Sequence, residues 1–170
     1  MNEDNSPEST KGEPPKSIQD FAKAAASANG LSTGFGDIKR CRLSDAEKAL
    51  VRDDVSKVPN RTYTGQPMAK TADVPSRNAR VKVKAAKSLI DPAEIMPDKL
   101  ENAICDVAAN EAEMPVLESP AEQASIQDGR HRIMAADELG YEEIEVSYPV
   151  AHEEQLKRQL GDDFRPCEPA

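Results

Sequence analysis

Large aromatic side chains are scarce in this sequence. It has no tryptophan, three tyrosines and three phenylalanines among 170 residues. Hydrophobic residues make up 38% of the chain and charged residues 31%. Because this is too little apolar material for a core that extends over the whole length, we expect one small folded domain beside a loose flank.

Long apolar stretches are also absent. There is no run of 18 apolar residues, which predicts that no helix spans a membrane and that the protein has no membrane partner. Residues 1–10 are acidic and polar, and they lack the apolar segment of a cleaved secretion signal. These features favour a cytoplasmic protein. A secreted effector delivered without a cleaved signal is the alternative.

Cysteine is sparse, and its number is odd. Cys41, Cys105 and Cys167 are widely spaced, and none belongs to a C-x-x-C pair. This pattern predicts a reducing compartment and no disulfide framework. Because Cys105 falls on the apolar stripe of a predicted helix, we expect it to be a small buried hydrophobic residue.

Acidic residues outnumber basic ones, and the excess lies in the second half of the chain. The net charge is −9, yet residues 1–78 hold 12 Lys and Arg against 11 Asp and Glu, while residues 79–170 hold 10 against 20. An acidic domain repels a phosphate backbone unless its basic groups are concentrated in one place. The charge therefore disfavours broad DNA binding but allows a small pocket with local positive charge.

The first half of the chain shows few signs of regular structure. Residues 1–17 have a composition typical of disorder, and residues 18–28 fit a short helix. Ser44 and Glu47 have the spacing of a capping box, which predicts a helix that ends near Val55. We therefore interpret residues 1–78 as a flexible or partly helical region.

Residues 79–170 predict a domain of the α/β (α+β) class. Apolar residues alternate in some segments and recur at helical spacing in others. The predicted elements are a strand at 81–84, a helical turn at 85–89, a helix at 97–109, a hairpin of strands 114–117 and 124–127, a helix at 129–139, a strand at 144–148 and a helix at 152–160.

The turn that joins the second hairpin strand to the next helix carries the candidate site. Gly129 lets the backbone bend and approach a ligand, and Asp128 can cap the helix N-terminus. Arg130 and Arg132 suit anion binding beside the positive end of the helix dipole. His131 can transfer a proton near neutral pH. Alternatively, the two arginines pair with acidic side chains, for which the candidates are Glu138, Glu142 and Glu143.

The segment Ile126–Val146 resembles the ParB/sulfiredoxin fold superfamily. Members of that superfamily have a strand, a D-G-x-x-R turn, an Ala-rich helix, an L-G pair and a strand of the I-x-V kind. The matching residues are Asp128, Gly129, Arg130, His131, Arg132, Ala135, Ala136, Leu139, Gly140, Ile144 and Val146.

The resemblance implies a nucleotide site at this turn. The expected ligand is a nucleoside triphosphate, ATP or CTP, with Mg²⁺. The binding residues it implies are Gly129, Arg130, His131 and Arg132, with no metal ligand from the protein. Kinase-like relatives also need a catalytic carboxylate, and candidates by approximate placement are Glu94 and Glu118.

Hydrolysis or transfer of a phosphoryl group would then use Glu94, Asp128 and His131. The sequence disfavours sulfiredoxin chemistry, because Arg130 stands where that reaction needs a cysteine. Two departures also disfavour a role in chromosome partitioning. Met134 stands where the partitioning relatives have an arginine, and the chain that follows is too short for their helix-turn-helix domain. The alternatives are a non-catalytic interaction module or effector, with a protein partner at the N-terminal region, and a ParB-like nuclease, which the acidic surface disfavours.

Overall fold

The first described helix begins where the sequence predicts it. In the computed structural model, which describes residues 41–67 and 74–167, helix α1 spans Asp45–Val55. The Glu47 amide donates to the Ser44 hydroxyl over 3.1 Å, and the Ser44 amide donates to the Glu47 carboxylate over 2.8 Å. This reciprocal capping satisfies two amides that the helix itself leaves unpaired, so the predicted capping box is confirmed. The helix predicted over residues 18–28 lies outside the described residues.

Helices and strands alternate along the rest of the described chain. The strands are β1 Thr62–Tyr63, β2 Ser76–Lys82, β3 Val116–Glu118, β4 Ser125–Asp128, β5 Glu143–Pro149 and β6 Phe164–Pro166. The remaining helices are α2 Val83–Lys87, α3 Pro97–Ala108, α4 Arg130–Glu138 and α5 Glu153–Leu160. The α/β class is therefore confirmed for the described residues. The predicted hairpin, α3, α4, β5 and α5 are present to within a few residues of their expected bounds.

One mixed sheet organises these elements, with strand order β4-β3-β5-β2-β6. The longest pairing is antiparallel and joins all of β2, from Ser76 to Lys82, to β5. Strands β3 and β1 both run parallel to β5. Strands β1 and β6 were not predicted, because two or three residues are too few to show a period.

The hydrophobic core covers one face of this sheet. Ala79 of β2 lies opposite Val146 of β5, and Val81 lies opposite both Ile144 and Phe164, so these side chains share a face. All of them are buried, and helix α4 adds three further buried side chains. The apolar stripe predicted for α3 is buried as well. The alternation in the sequence therefore identified the core face of β5. The strand predicted at 81–84 was misplaced, because β2 spans Ser76–Lys82 and Val83 begins α2.

The core also includes part of the region assigned to the flexible N-terminal half. Leu43, Val51, Val55 and Tyr63 are buried in the same cluster as the central strands. The predicted boundary after residue 78 therefore does not mark the start of the folded unit, which extends back at least to Cys41. These apolar residues are few and stand among polar ones, so the composition of the segment did not reveal them.

The cysteine prediction was wrong. Cys41 and Cys105 form a disulfide with a Cα–Cα distance of 6.2 Å, and Cys167 is free. The bridge joins the segment before α1 to the middle of α3. Cys105 is fully buried, as expected, but as half of this bond. Spacing alone did not reveal the pair, because 64 residues separate its members and only the fold brings them together.

Glu143 is a charged residue of β5 that is nevertheless buried. It points away from the core, yet it is 4% exposed, because Lys82 and Arg165 form ion pairs with it and the Thr62 hydroxyl donates to it. Burial raises the pKa of the Glu143 carboxyl, but the Thr62 hydroxyl and the two cations outweigh burial and leave the pKa below its ordinary value. Glu143 thus stays ionised between Lys82 and Arg165.

Candidate functional site

Gly129 makes the turn between β4 and α4 possible. Its φ is +101°, a left-handed conformation that residues with a Cβ rarely adopt. A Cβ built on Gly129 would lie 2.7 Å from the Pro115 Cβ and 2.8 Å from its Cα. The close approach that the sequence suggested for a ligand is therefore made here by the chain itself, against Pro115.

Arg132 is turned toward the protein. Its Nη1 donates to the Glu113 carbonyl over 2.8 Å and to the Met114 carbonyl over 3.4 Å. Its Nη2 lies 3.1 Å from the Asp128 carboxylate, and the side chain is 19% exposed. These bonds fasten the first turn of α4 to the segment that leads into β3. Arg132 thus positions the turn, and most of its guanidinium is already occupied.

Arg130 points the other way and is held more loosely. Its Nε lies 3.3 Å from the Glu94 carboxylate, with the two side chains 39% and 56% exposed. Glu94 belongs to a short 3₁₀ turn, Pro92–Glu94, which Asp91 caps through the Ala93 amide. An exposed ion pair of this kind contributes about 0–1 kcal/mol, so an incoming anion can separate it at little cost.

His131 joins the start of α4 to the start of α3. Its Nε2 accepts the Met96 amide over 3.0 Å, and Met96 is the residue before the first turn of α3. Burial lowers the pKa of the ring, and the nearby Lys99, Arg130 and Arg132 lower it further. The neutral ring accepts at Nε2 and carries its proton on Nδ1, so Nδ1 is the atom from which it can donate.

The N-terminus of α4 has no side-chain cap. Gly129 occupies the N-cap position and has no side chain, and Asp128, which was predicted as a possible cap, pairs with Arg132. The first-turn amides of a nine-residue helix are thereby left without a side-chain acceptor at the positive end of the helix dipole. Together with the Arg130 guanidinium, they form a surface on which an anion can accept hydrogen bonds.

The predicted site residues are therefore mostly brought together. Glu94, Asp128, Arg130, His131 and Arg132 all contact one another or adjacent backbone at this turn. The alternative that the two arginines pair with acidic side chains is confirmed, but with Glu94 and Asp128 as partners. The three partners named from sequence were wrong, because they bind other cations: Glu138, Glu142 and Glu143. Glu118 pairs with Ser125 at the opposite end of the β3–β4 pair from Asp128, so it does not join the site.

The described residues of the turn do not form a metal-binding site. Asp128 and Glu94 each face an arginine, and within residues 41–67 and 74–167 no three His, Cys, Asp or Glu side chains are grouped to hold a metal ion. These residues do not fit a protein-bound Mg²⁺. A cation that arrives with a nucleotide is held chiefly by the phosphates.

Sequence reasoning missed two sets of groups. The carbonyls of Glu113 and Met114 fix Arg132, but backbone atoms have no sequence signal. A cleft of about 470 Å³ also lies near the C-terminal end of α4. Its lining comes from three separate segments, so no local pattern announced it: Lys82, Val83, Lys84, Asp137, Tyr141, Glu142 and Asp163.

Comparison with known proteins gives no relative. The chain matches no protein-family model, no curated protein and no solved structure. In the part of the chain that the structure describes, no helix is long and apolar enough to cross a membrane. Any assignment of function therefore rests on the geometry of the turn and on the resemblance of residues 126–146.

Proposed function

We propose that the protein is a ParB/sulfiredoxin-like module that binds the phosphates of a nucleoside triphosphate, ATP or CTP with Mg²⁺, at the Asp128–Arg132 turn. The observation that carries this proposal is the uncapped N-terminus of α4 beside the loosely paired Arg130. A phosphate oxygen accepts readily from helix amides and from a guanidinium fork. The resemblance of the turn to that superfamily supports the same ligand.

In this proposal the residues of the turn have different roles. The first-turn amides and Arg130 bind the phosphate, while Arg132 holds the turn in place through the Glu113 and Met114 carbonyls. When Arg130 moves to the phosphate, Glu94 loses its partner and becomes a free carboxylate near the ligand. It is then the candidate base for hydrolysis or phosphoryl transfer, with His131 as the group that can donate from Nδ1.

The test uses two matched surface arginines. Arg130 and Arg61 both lie 3.3 Å from a glutamate, and the side chains in both pairs are between 39% and 61% exposed. We expect isothermal calorimetry of the full chain to detect ATP or CTP with Mg²⁺. Arg130→Gln should weaken binding about tenfold, and Arg61→Gln should leave it unchanged, since one charge-assisted contact is worth about 1.5 kcal/mol.

Two results would refute this proposal. One is the absence of binding to ATP, CTP, GTP and ADP, with and without Mg²⁺, by folded protein. The other is equal affinity in the parent protein and Arg130→Gln. Loss of affinity in Arg61→Gln alone would instead move the ligand to the cleft near Glu142, at the other end of α4.

A second candidate function is a non-catalytic interaction module or effector. The Cys41–Cys105 disulfide favours it, because stable disulfides are typical of oxidising compartments, including the extracellular space. The same bond removes the argument for a cytoplasmic location that rested on unpaired cysteines. Thiol labelling of the protein inside the intact cells that produce it tests this candidate. We expect Cys41 and Cys105 to be disulfide-bonded and therefore unlabelled, and we expect the purified protein to show no nucleotide turnover.

A further inference from the structure

The N-terminal end of α1 is fixed to the body of the protein by one covalent bond. The Cys41–Cys105 disulfide joins it to α3, and the Cys41 amide donates to the Asn102 side chain over 3.0 Å. Both cysteines are buried. The segment that leads from Cys41 into α1 is therefore anchored to α3 at this point.

Apart from one hydrogen bond, in which Arg52 Nε donates to the Glu138 carbonyl over 2.8 Å, the charged contacts of α1 are long. Lys48, 10% exposed, lies 3.9 Å from the Glu101 carboxylate and 3.7 Å from that of Glu138, both beyond good hydrogen-bond distance. Glu101 Oε1 is buried and has no hydrogen-bond partner among the described residues. The Glu138 side chain is 43% exposed, so solvent screens its attraction to Lys48, and desolvation of Lys48 and of Glu101 Oε1 offsets much of theirs. This cluster therefore adds little net stability to the docked helix.

The apolar contacts of α1 are also limited. Within α1 the buried apolar side chains are Val51 and Val55, whereas Leu50 is exposed. On the other side of the molecule, all seven residues of β2 pair with β5, and the core packs against both strands. Noncovalent attachment is thus much stronger within the sheet than between α1 and the helices beneath it.

We infer that the Cys41–Cys105 bond is a redox latch. When it is closed, α1 is held on α3 and α4; when a dithiol reductant opens it, α1 leaves and the sheet with its remaining helices stays folded. The released element is α1 with the residues from Cys41 onward, and the faces of α3 and α4 beneath α1 become accessible.

The chemistry is ordinary thiol–disulfide exchange. A thiolate of the reductant attacks Sγ of Cys41, the Sγ–Sγ bond breaks, and Cys105 leaves as a thiolate that takes up a proton. The second thiol of the reductant then displaces Cys41, which leaves the oxidised reductant as a cyclic disulfide. Two electrons and two protons have moved to the protein. Because both sulfur atoms are buried, the attack follows a local opening of the segment around Cys41.

The test is limited proteolysis of the full chain with Cys167→Ser, which leaves only the bridged pair. Trypsin cleavage after Lys48 and Arg52 in α1 is followed by mass spectrometry in the oxidised protein, in the dithiothreitol-reduced protein and in Cys41→Ser/Cys105→Ser. Cleavage after Arg80 and Lys82 in β2 is the internal control. We expect at least tenfold faster cleavage in α1 without the bridge and unchanged cleavage in β2.

Two outcomes would overturn the latch. If the double serine variant is cut in α1 no faster than the oxidised protein, noncovalent contacts suffice to hold the helix. If cleavage in β2 rises by the same factor as in α1, the bond supports the whole fold and does not act on α1 alone. The serine variant decides the matter even if dithiothreitol fails to reach the buried bond.

Discussion

Helix α4 has two ends that the protein treats differently. At its C-terminus, Gly140 takes a left-handed conformation, and Arg52 of α1 donates to the Glu138 carbonyl over 2.8 Å. Lys48 and Arg52 also approach the Glu138 carboxylate. At the N-terminus, beyond Gly129, the first-turn amides have no side-chain cap.

The two ends of α4 differ in how their backbone polar groups are satisfied. The C-terminal end at Glu138 and Gly140, here called the closed end, is covered by α1, so its polar groups are satisfied within the chain and it contributes to the stability of the fold. The N-terminal end at Gly129 is called the open end. The N-terminal end leaves its first-turn amides without a side-chain acceptor, and this is the end at which we propose that a phosphate binds. Cations near a helix C-terminus and anions near an N-terminus are both favoured by the dipole. At the N-terminus of α4 the nearby carboxylates of Asp128 and Glu94 pair with arginines and do not cap the helix amides.

The largest expected effect comes from the glycines at the two ends. Gly129→Ala should cost about 3 kcal/mol in the free energy of unfolding, because the new methyl group meets Pro115 and the φ is strained. Gly140→Ala has a similar φ, +89°, but its nearest neighbour is Arg52 Cγ at 3.8 Å, so it should cost about 1 kcal/mol. Urea unfolding measures both changes in the free energy of unfolding. Equal changes would show that Pro115 shifts to make room for the new methyl group.

The two arginines of the open end should differ next. Arg132→Met removes the bonds to the Glu113 and Met114 carbonyls and should cost about 2 kcal/mol of stability. Arg130→Met loses an exposed ion pair and should cost about 0.5 kcal/mol or less. Chemical denaturation of both variants tests this difference. If Arg130→Met is the more destabilising change, Arg132 is not the positioning residue.

His131 should make the open end sensitive to acid. Its folded-state pKa lies below the ordinary value of 6.5, because burial and nearby cations disfavour the charged ring. The stability it contributes is therefore complete above about pH 6.5 and is lost as pH falls through the folded-state pKa. Glu143, whose pKa lies below 4.5, loses its contribution only in more acidic solution.

Melting temperatures between pH 7 and pH 5 test this prediction. His131→Gln keeps an acceptor for the Met96 amide but does not titrate, so the parent protein should lose stability relative to this variant as the pH falls. Parallel curves for the two proteins over this range would contradict the assignment of the acid sensitivity to His131.

The smallest effect on stability is expected from exposed arginines. Arg52→Gln should cost about 0.5 kcal/mol at the closed end and leave nucleotide affinity unchanged. Arg130→Gln should do the reverse, with little change in stability and a clear loss of affinity. Thermal shift with and without ligand measures both quantities in one experiment. Loss of affinity in Arg52→Gln would mean that the two ends are coupled.

Several parts of the fold were predictable because their causes are local. Ser44 and Glu47 stand three residues apart and cap α1, and Gly140 closes α4 in the left-handed conformation that its place after Leu139 predicts. The alternation in β5 followed from one buried face. Each of these features is decided by residues within one turn or one strand.

The site was predictable as a position but not as a set of contacts. The turn at Gly129 and its cluster of Arg130, His131 and Arg132 follow from the chain itself. Which way each arginine points depends on groups 18 to 36 residues away, such as Glu113 and Glu94. The sequence offers many carboxylates to each cation, and only packing selects among them.

The amino-acid sequence by itself determined most of the helices, the apolar faces of α3 and β5 and the bends of the backbone at glycine, since these depend on short-range sterics and periodicity. Only the tertiary structure decided that Cys41 meets Cys105, that α1 closes one end of α4, and that Arg132 serves the fold while Arg130 remains available. Those outcomes require segments distant in the chain to meet, and the free energy that brings them together comes from burial of the shared core.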